Sequence, residues 1–337
     1  MTVSAPVDLV TLESMRVAAQ VIAPVAVRTR LLPADELSDS LGVPVFVKPE
    51  NLQRVGAFKL RGAFNLVSQI VAGPQKAAGV ITYSSGNHGQ AVAYAARHFG
   101  LRAVIVMPET VSPAKRAGVE RLGGEVVLAG RTSRDRHEKA MELADAQRLA
   151  VVPPFDHPAI IAGQGTVGLE IVEDCPDVGT VAVPTGGGGL SAGVATAIRA
   201  LRPGASVVTV EPEGAPKFAR SFEQKRRVVL DSTGSIADGL ITLAVGELNF
   251  EHLIRAVDRA ATVSDSAIKA AVRFALDRLK MVVEPSGAAT LAFLMGQPRG
   301  SLQGPVVAII SGGNIEWEGL QQLLADSRSP LTAHRSP

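Results

Sequence analysis

Short apolar runs alternate with helical patterns along almost the whole chain, and this alternation constrains the fold more than any other feature. Strand-like runs occupy residues 43–48, 79–83, 103–107, 125–128 and 149–152, then 180–183, 206–210 and 305–310. Helical patterns fall at 12–19, 63–70, 88–99, 113–122, 134–146, 162–173, 190–200, 266–279 and 286–295. In the stretch from Ser266, residues Ile268, Val272, Ala275, Leu276 and Leu279 make a core-facing stripe. Strands that stay apolar without alternation are covered on both faces. The chain is therefore expected to be α/β, with parallel-rich twisted sheets between helices. Its 337 residues suit two lobes, and Val152-Pro153-Pro154-Phe155 is the candidate hinge between them.

Composition narrows the partners. Aromatic residues are 4% of the chain, the formal net charge is +2, and no basic run exceeds Lys225-Arg226-Arg227. Stacking platforms and phosphate-neutralising patches are thus missing, and nucleic acid is not expected as a partner. No apolar run is long enough to cross a bilayer, and Asp8 and Glu13 interrupt any signal-peptide core. Cys175 is the one cysteine, which excludes an internal disulfide and points to a reducing, cytoplasmic setting.

Four stretches carry chemistry. In Gly56-Ala57-Phe58-Lys59-Leu60-Arg61-Gly62-Ala63, a lysine sits in a turn of small and apolar residues before a helix. It is either an ordinary surface lysine or an amine whose charge is removed, as by a Schiff base with an aldehyde. Ser84-Ser85-Gly86-Asn87-His88-Gly89 joins a strand to a helix and offers more donors than a helix cap needs, so it favours an anion. Thr185-Gly186-Gly187-Gly188-Gly189-Leu190-Ser191-Ala192-Gly193 also joins strand to helix. Its backbone suits a phosphate cup. Gly187, Gly189 and Ala192, with Glu211 ending the next strand, also satisfy a dinucleotide pattern, which leaves an NAD-binding oxidoreductase as a rival. Gly189-Leu190-Ser191-Ala192-Gly193 fits the nucleophile-elbow spacing with His252 as partner, although four glycines place Ser191 inside the helix. Ser311-Gly312-Gly313-Asn314 closes a further apolar strand, where a hydroxyl can meet a ligand in the sheet crevice. Metal signals are weak: His137-Glu138 lacks a second histidine, and Glu211, Glu213 and Asp231 are loosely spaced.

Together with Ala162-Gly163-Gln164-Gly165-Thr166, Ala237-Asp238-Gly239-Leu240 and Glu284-Pro285-Ser286-Gly287-Ala288, these stretches resemble one family from about residue 27 to 315. It is the fold-type II pyridoxal-phosphate enzymes, in the branch of serine/threonine dehydratases (ammonia-lyases) and serine racemase. The resemblance implies a tryptophan-synthase-β-like fold. It implies a larger cofactor-binding domain at 1–79 plus 155–325 and a smaller substrate-closing domain at 80–154, while the polar, proline-punctuated tail 326–337 is expected to be disordered. It implies pyridoxal 5'-phosphate joined to Lys59, which then takes the Cα proton of the substrate. Gly186, Gly187, Gly188, Gly189 and Leu190 cup the phosphate, Asn87 meets the ring hydroxyl, Ser311 faces the pyridine nitrogen, and Phe58, Gly239 and Glu284 line the cofactor. Ser84, Ser85, Asn87 and His88 surround the substrate carboxylate, with Arg136 and Phe155 nearby.

The implied reaction is loss of water from a β-hydroxy L-amino acid, threonine or serine foremost, giving a 2-oxo acid and ammonia. Phenylserine and 3-hydroxyaspartate remain open as substrates. Racemisation needs an acid opposite Lys59, which Ser85 matches, and Arg136 matches the racemase-like members. Phe155 matches the dehydratases, since serine racemases tend to have asparagine there. The family's cation site corresponds to Glu211, the carbonyl of Ala215 and an acid two residues later, but here that residue is Lys217. An ammonium there repels a divalent cation and can pair with Glu211. Ala57 replaces a commoner serine, with no physical consequence that the sequence reveals. A homodimer is expected from the resemblance alone.

Overall fold

A computed structural model of the chain describes residues 8–74, 76–84 and 86–325. The tail expected at 326–337 and the candidate Ser85 lie outside the described residues. The chain opens with α1 (Leu12–Ile22), β1 (Leu32–Pro33), α2 (Asp35–Leu41), β2 (Val45–Pro49) and α3 (Lys59–Ala72). Next come β3 (Val80–Tyr83), α4 (Asn87–His98), β4 (Ala103–Met107), α5 (Pro113–Glu120), β5 (Glu125–Leu128), α6 (Ser133–Gln147) and β6 (Ala150–Val151). Then follow α7 (Pro158–Asp174), β7 (Thr180–Pro184), α8 (Gly189–Leu201), β8 (Ser206–Pro212), α9 (Lys217–Gln224) and α10 (Glu247–Ala256). The series ends with β9 (Arg259–Val263), α11 (Asp265–Asp277), α12 (Pro285–Met295), β10 (Val306–Ile310) and α13 (Trp317–Ala325).

Two sheets result, ordered β1-β2-β10-β7-β8-β9 and β5-β4-β3-β6. All pairings are parallel except β1 with β2. Side chains alternate across each strand, so neighbouring residues enter different cores. On β10, Val307 and Ile309 face α1, α7, α8 and α10, whereas Val306, Ala308 and Ile310 face α2, α11 and α12. The smaller sheet divides likewise: Val80, Ala103, Ile105 and Met107 pack on α3 and α4, and Ile81, Val104 and Val106 on α6. Leu60, Phe64 and Val67 of α3 thus share a core with the smaller sheet, although the expected division at 79/80 assigns α3 to the larger lobe. No helix among the described residues is long and apolar enough to cross a membrane.

Two expectations needed revision. The helix after the lysine begins at Lys59 itself, four residues before the expected 63, with Phe58 as its cap. Gly62 reads as a helix breaker, but here it permits close packing of α3 on α7. A Cβ on Gly62 would lie 2.8 Å from Ile160 O, and one on Gly163 2.6 Å from Gly62 Cα. The edge strand β9 was not anticipated, because its exposed Arg259 and Thr262 break the apolar run that marks the other strands.

Candidate active site

The chemistry-bearing stretches lie beyond the carboxyl ends of parallel strands, where an open α/β sheet leaves a crevice. Lys59 follows β2, and Ser311 follows β10 directly. Backbone bonds join the two segments: Phe58 N–H donates to Ser311 O (3.1 Å), Gly313 N–H to Gly56 O (3.0 Å), and Ala57 bridges Gly312. Lys59 is half-buried. Its Nζ donates to Pro154 O in the hinge stretch (2.6 Å) and lies 5.1 Å from the centre of the Phe58 ring. Burial lowers its pKa to about 8, with no carboxylate opposing the shift. Near neutral pH this amine gives up its proton far more readily than a surface lysine.

The glycine run follows β7 and leads into α8, with Gly188 as N-cap at φ 97°. That left-handed conformation is strained for any residue with a Cβ. Close packing constrains the run as well: a Cβ on Gly187 would lie 2.2 Å from the Phe155 ring, and one on Gly186 2.6 Å from Gly239 O. Gly186, Gly187 and Gly188 donate their N–H groups to no acceptor among the described residues. The Thr185 hydroxyl beside them is buried without a partner. From outside, Asn249 Nδ2 (2.8 Å) and Gly246 N–H (2.9 Å) both donate to Gly187 O. Sequence reasoning missed Asn249, which carries no local signal in its helix.

Asn87, the first residue of α4, donates through Nδ2 to Glu284 Oε1 (2.6 Å) and accepts from Asn314 Nδ2 (2.8 Å). Asn314, quoted in a motif but given no role, also donates to Val55 O (2.7 Å) and so ties the lysine loop to α4. Burial, then the charge of Asp238, pushes the Glu284 pKa up to about 8, so its carboxyl holds a proton at neutral pH. Gly239 N–H donates to Ser286 Oγ (2.8 Å), while Ser311 Oγ has only a long contact to Ser286 O (3.5 Å). His88 is buried, with Nε2 3.0 Å from Val152 O and Nδ1 unpartnered. Burial, then the nearby Lys59 charge, lowers its pKa to about 3, so the ring is neutral. Ser84 Oγ accepts from Gly86 N–H (3.3 Å). Arg136 lies on the first turn of α6 and donates to Ser133 Oγ (2.9 Å) rather than to the Ser84 loop. Its Nε is buried without a partner.

Three competing uses of these residues lose support. Ser191 donates to Gly188 O within its own helix, and His252 is engaged by Val10 N–H (3.1 Å) and Thr196 Oγ1 (2.9 Å), so the two form no nucleophile pair. The Glu211 carboxylate is fully buried and accepts from Lys217 Nζ (2.9 Å), Phe218 N–H (2.9 Å) and Ala219 N–H (2.8 Å), which leaves it no contact for a ribose. The same arrangement bears on the cation site, because Lys217 Nζ also sits 3.3 Å from Ala215 O and fills the position. No cluster of metal-ligating side chains occurs among the described residues.

Comparison with known proteins supplies the family. A family model described as pyridoxal-phosphate dependent enzyme matches residues 22–312. The L-threonine ammonia-lyase of Geobacter sulfurreducens is 40% identical over 291 residues, 86% of this chain and 72% of its own. The serine racemase of Schizosaccharomyces pombe is 37% identical over 317 residues, 94% of this chain and 98% of its own. Among solved structures, the serine racemase of maize has a TM-score of 0.86 at 33% identity, covering 95% of this chain and 98% of that one. A solved threonine deaminase has a TM-score of 0.85 at 40% identity, covering 91% of this chain and 99% of that one.

Proposed function

The chain belongs to the pyridoxal-phosphate dependent enzyme family, and on that premise we propose that it removes water from a β-hydroxy L-amino acid, threonine or serine foremost, to give a 2-oxo acid and ammonia. The observation that carries this reading is the Lys59 amine. It lies half-buried, at a pKa of about 8, between the strand-end loop of Ser311 and the hinge carbonyl of Pro154.

The residues fit the cofactor. A readily deprotonated amine suits an aldehyde. Three consecutive glycine N–H groups at a helix head, without acceptors among the described residues, suit a phosphate, and the Thr185 hydroxyl, likewise unmatched there, adds a donor. When bound, pyridoxal phosphate supplies the carbonyl that takes the substrate amine and the conjugated ring that delocalises charge from Cα.

Lys59 acts as the base at Cα and returns a proton to the departing β-hydroxyl, which leaves as water. Asn87, fixed by Glu284 and Asn314, presents its amide to the ring hydroxyl. Ser84, with the N-terminus of α4 behind it, receives the substrate carboxylate. The neutral His88 contributes shape and no charge. Ser311, whose hydroxyl is nearly free, would be the partner of the ring nitrogen, and a neutral hydroxyl would not keep that nitrogen protonated. A neutral partner there would favour prompt loss of the β-hydroxyl. The enamine released becomes an imine and takes up water to give the oxo acid and ammonia.

The 80–154 segment closes over substrate and excludes water in this reading. Homodimerisation and a cytoplasmic location also belong to it. Leu52 and Val282, 56% and 47% exposed on segments joined by Asn51 Nδ2 and Val282 O, offer an apolar face for a partner copy.

Borohydride reduction of the holoenzyme followed by peptide mapping should find pyridoxyl on the Lys59 peptide. Finding it elsewhere, or nowhere, overturns the assignment. Oxo-acid release from L-threonine, L-serine, phenylserine and 3-hydroxyaspartate then ranks the substrates, with racemisation of L-serine followed in parallel. Phe155, which matches the residue type of the dehydratases of this branch at that position, leads us to expect elimination to exceed racemisation.

A further inference from the structure

Among the ionisable groups without a part in that chemistry, Lys217 is fully enclosed: its side chain is 0% exposed and that of Glu211 1%. A buried ion pair is tolerable only when every donor and acceptor is matched. Here Nζ lies 2.8 Å from Leu240 O, 2.9 Å from Glu211 Oε1, 3.0 Å from Thr185 O and 3.3 Å from Ala215 O. One carboxylate and three carbonyls converging on a point are the ligand set of a hard cation. The spacing is several tenths of an ångström longer than calcium or magnesium takes, and it suits an ammonium. Glu211 is matched in turn by the first N–H groups of α9, at Phe218 and Ala219.

Two of those carbonyls adjoin the glycine cup. Thr185 precedes Gly186, Leu240 follows Gly239, and the backbones of the two glycines touch. In a trans peptide the C=O of one residue and the N–H of the next point in opposite directions. Anchoring Thr185 O on Nζ therefore sets the direction of the Gly186 N–H, the first unmatched donor of the cup. Without a positive charge, three carbonyls and a carboxylate would face one another and repel.

We propose that Lys217 is a tethered cation, a positioning residue that orients the phosphate cup through the Thr185 and Leu240 carbonyls and makes a dissociable cation unnecessary at this place. The proposal rests on the reading that the cup holds the cofactor phosphate.

The test compares cofactor-free wild type, Lys217→Ala and Lys217→Met in tetramethylammonium buffer, titrated with pyridoxal 5'-phosphate and with phosphate-free pyridoxal. Wild type should bind pyridoxal 5'-phosphate equally well with or without added potassium, ammonium or magnesium. Lys217→Ala should bind it about tenfold more weakly or worse, recover saturably with potassium or ammonium, and change its affinity for pyridoxal less than about twofold. Lys217→Met, which fills the space without charge, should be weakened and gain nothing from cations. The proposal is overturned if Lys217→Ala binds like wild type without added cation, if both ligands lose equally, or if wild type itself shows a saturable cation response. Unfolding temperature read against potassium covers poor folding: a Lys217→Ala protein unfolded at every concentration counts against a vacated cation site. Failure of wild type to bind pyridoxal 5'-phosphate defeats the functional reading instead, whatever the variants do.

Discussion

At the residue scale, the crevice holds two groups displaced by burial in opposite charge states. Lys59 titrates near 8 when folded against 10.5 when exposed, so over that interval the unfolded chain carries the extra proton. Stability of the cofactor-free enzyme from this group therefore rises with pH from about 8 to about 10.5. Lys59→Met, similar in shape and uncharged, should raise the cofactor-free Tm at pH 7 by about 2 °C and lose that advantage by pH 10.5, in thermal melts across the range. The same variant should lose turnover by about 10³-fold or more. Glu284 is displaced upward, from 4.5 to about 8, so between those values the folded carboxyl keeps a proton that the unfolded one has lost. Its contribution to stability is complete below 4.5 and is lost as pH rises through 8. Glu284→Gln keeps the acceptor for Asn87 Nδ2. Urea unfolding of the cofactor-free enzymes should show the variant near parity at pH 5, ahead at pH 7 and no further ahead above pH 9. A constant gap would remove the titration from the account.

At the scale of elements, two pieces hold the crevice in shape: the start of α3 and the glycine run. Arg61, two residues after Lys59 and fully buried, donates to Glu50 (2.7 and 2.8 Å) and Glu170 (2.7 and 2.9 Å). Lys48 donates to Glu170 as well (2.5 Å). Removing one partner strands a buried carboxylate, so Arg61→Met should lower the unfolding free energy by about 3–5 kcal/mol. Adding Glu50→Gln should return a good part of that loss in the same urea experiment. In the glycine run, Gly187→Ala drives a methyl into the Phe155 ring and should weaken pyridoxal 5'-phosphate binding by about tenfold or more. Gly187→Ala with Phe155→Ala should bind better than Gly187→Ala alone, since the second change clears the clash. The sequence displays this run, the Lys59 turn and the Ser311 loop because each breaks an apolar strand with glycine and a polar residue. It does not display what holds them. Asn249 reaches Gly187 O from 62 positions away, and Arg61 meets Glu170 from 109 away. A carbonyl acceptor leaves no mark on residue identity, so the Thr185 and Leu240 carbonyls around Lys217 could not be read, although the lysine and, through the resemblance, the Ala215 carbonyl could. The first turn of α3 was hidden for another reason: Gly62 serves contact with α7, and helix packing across the chain overrides its low propensity.

For the whole molecule, one contact links the chemistry to movement. Lys59 Nζ, on the helix that follows the main sheet's β2, is bonded to Pro154 O, just after the last strand of the smaller sheet. The cofactor, once joined to Lys59, would withdraw that donor from the hinge, and an amino acid bound in the crevice would offer its carboxylate to the head of α4. The smaller sheet, whose core α3 shares on one side only, should then settle toward the cup. L-Alanine has no β-leaving group and can occupy the site without eliminating. Holoenzyme saturated with it should show amide hydrogen exchange slowed about tenfold at residues 86–98 and 131–147, with β2 and β10 unchanged. A uniform slowing would mean stabilisation without closure. No change at α4, while L-alanine still alters the cofactor's absorbance, would place the carboxylate elsewhere and remove the Ser84–His88 loop from substrate binding.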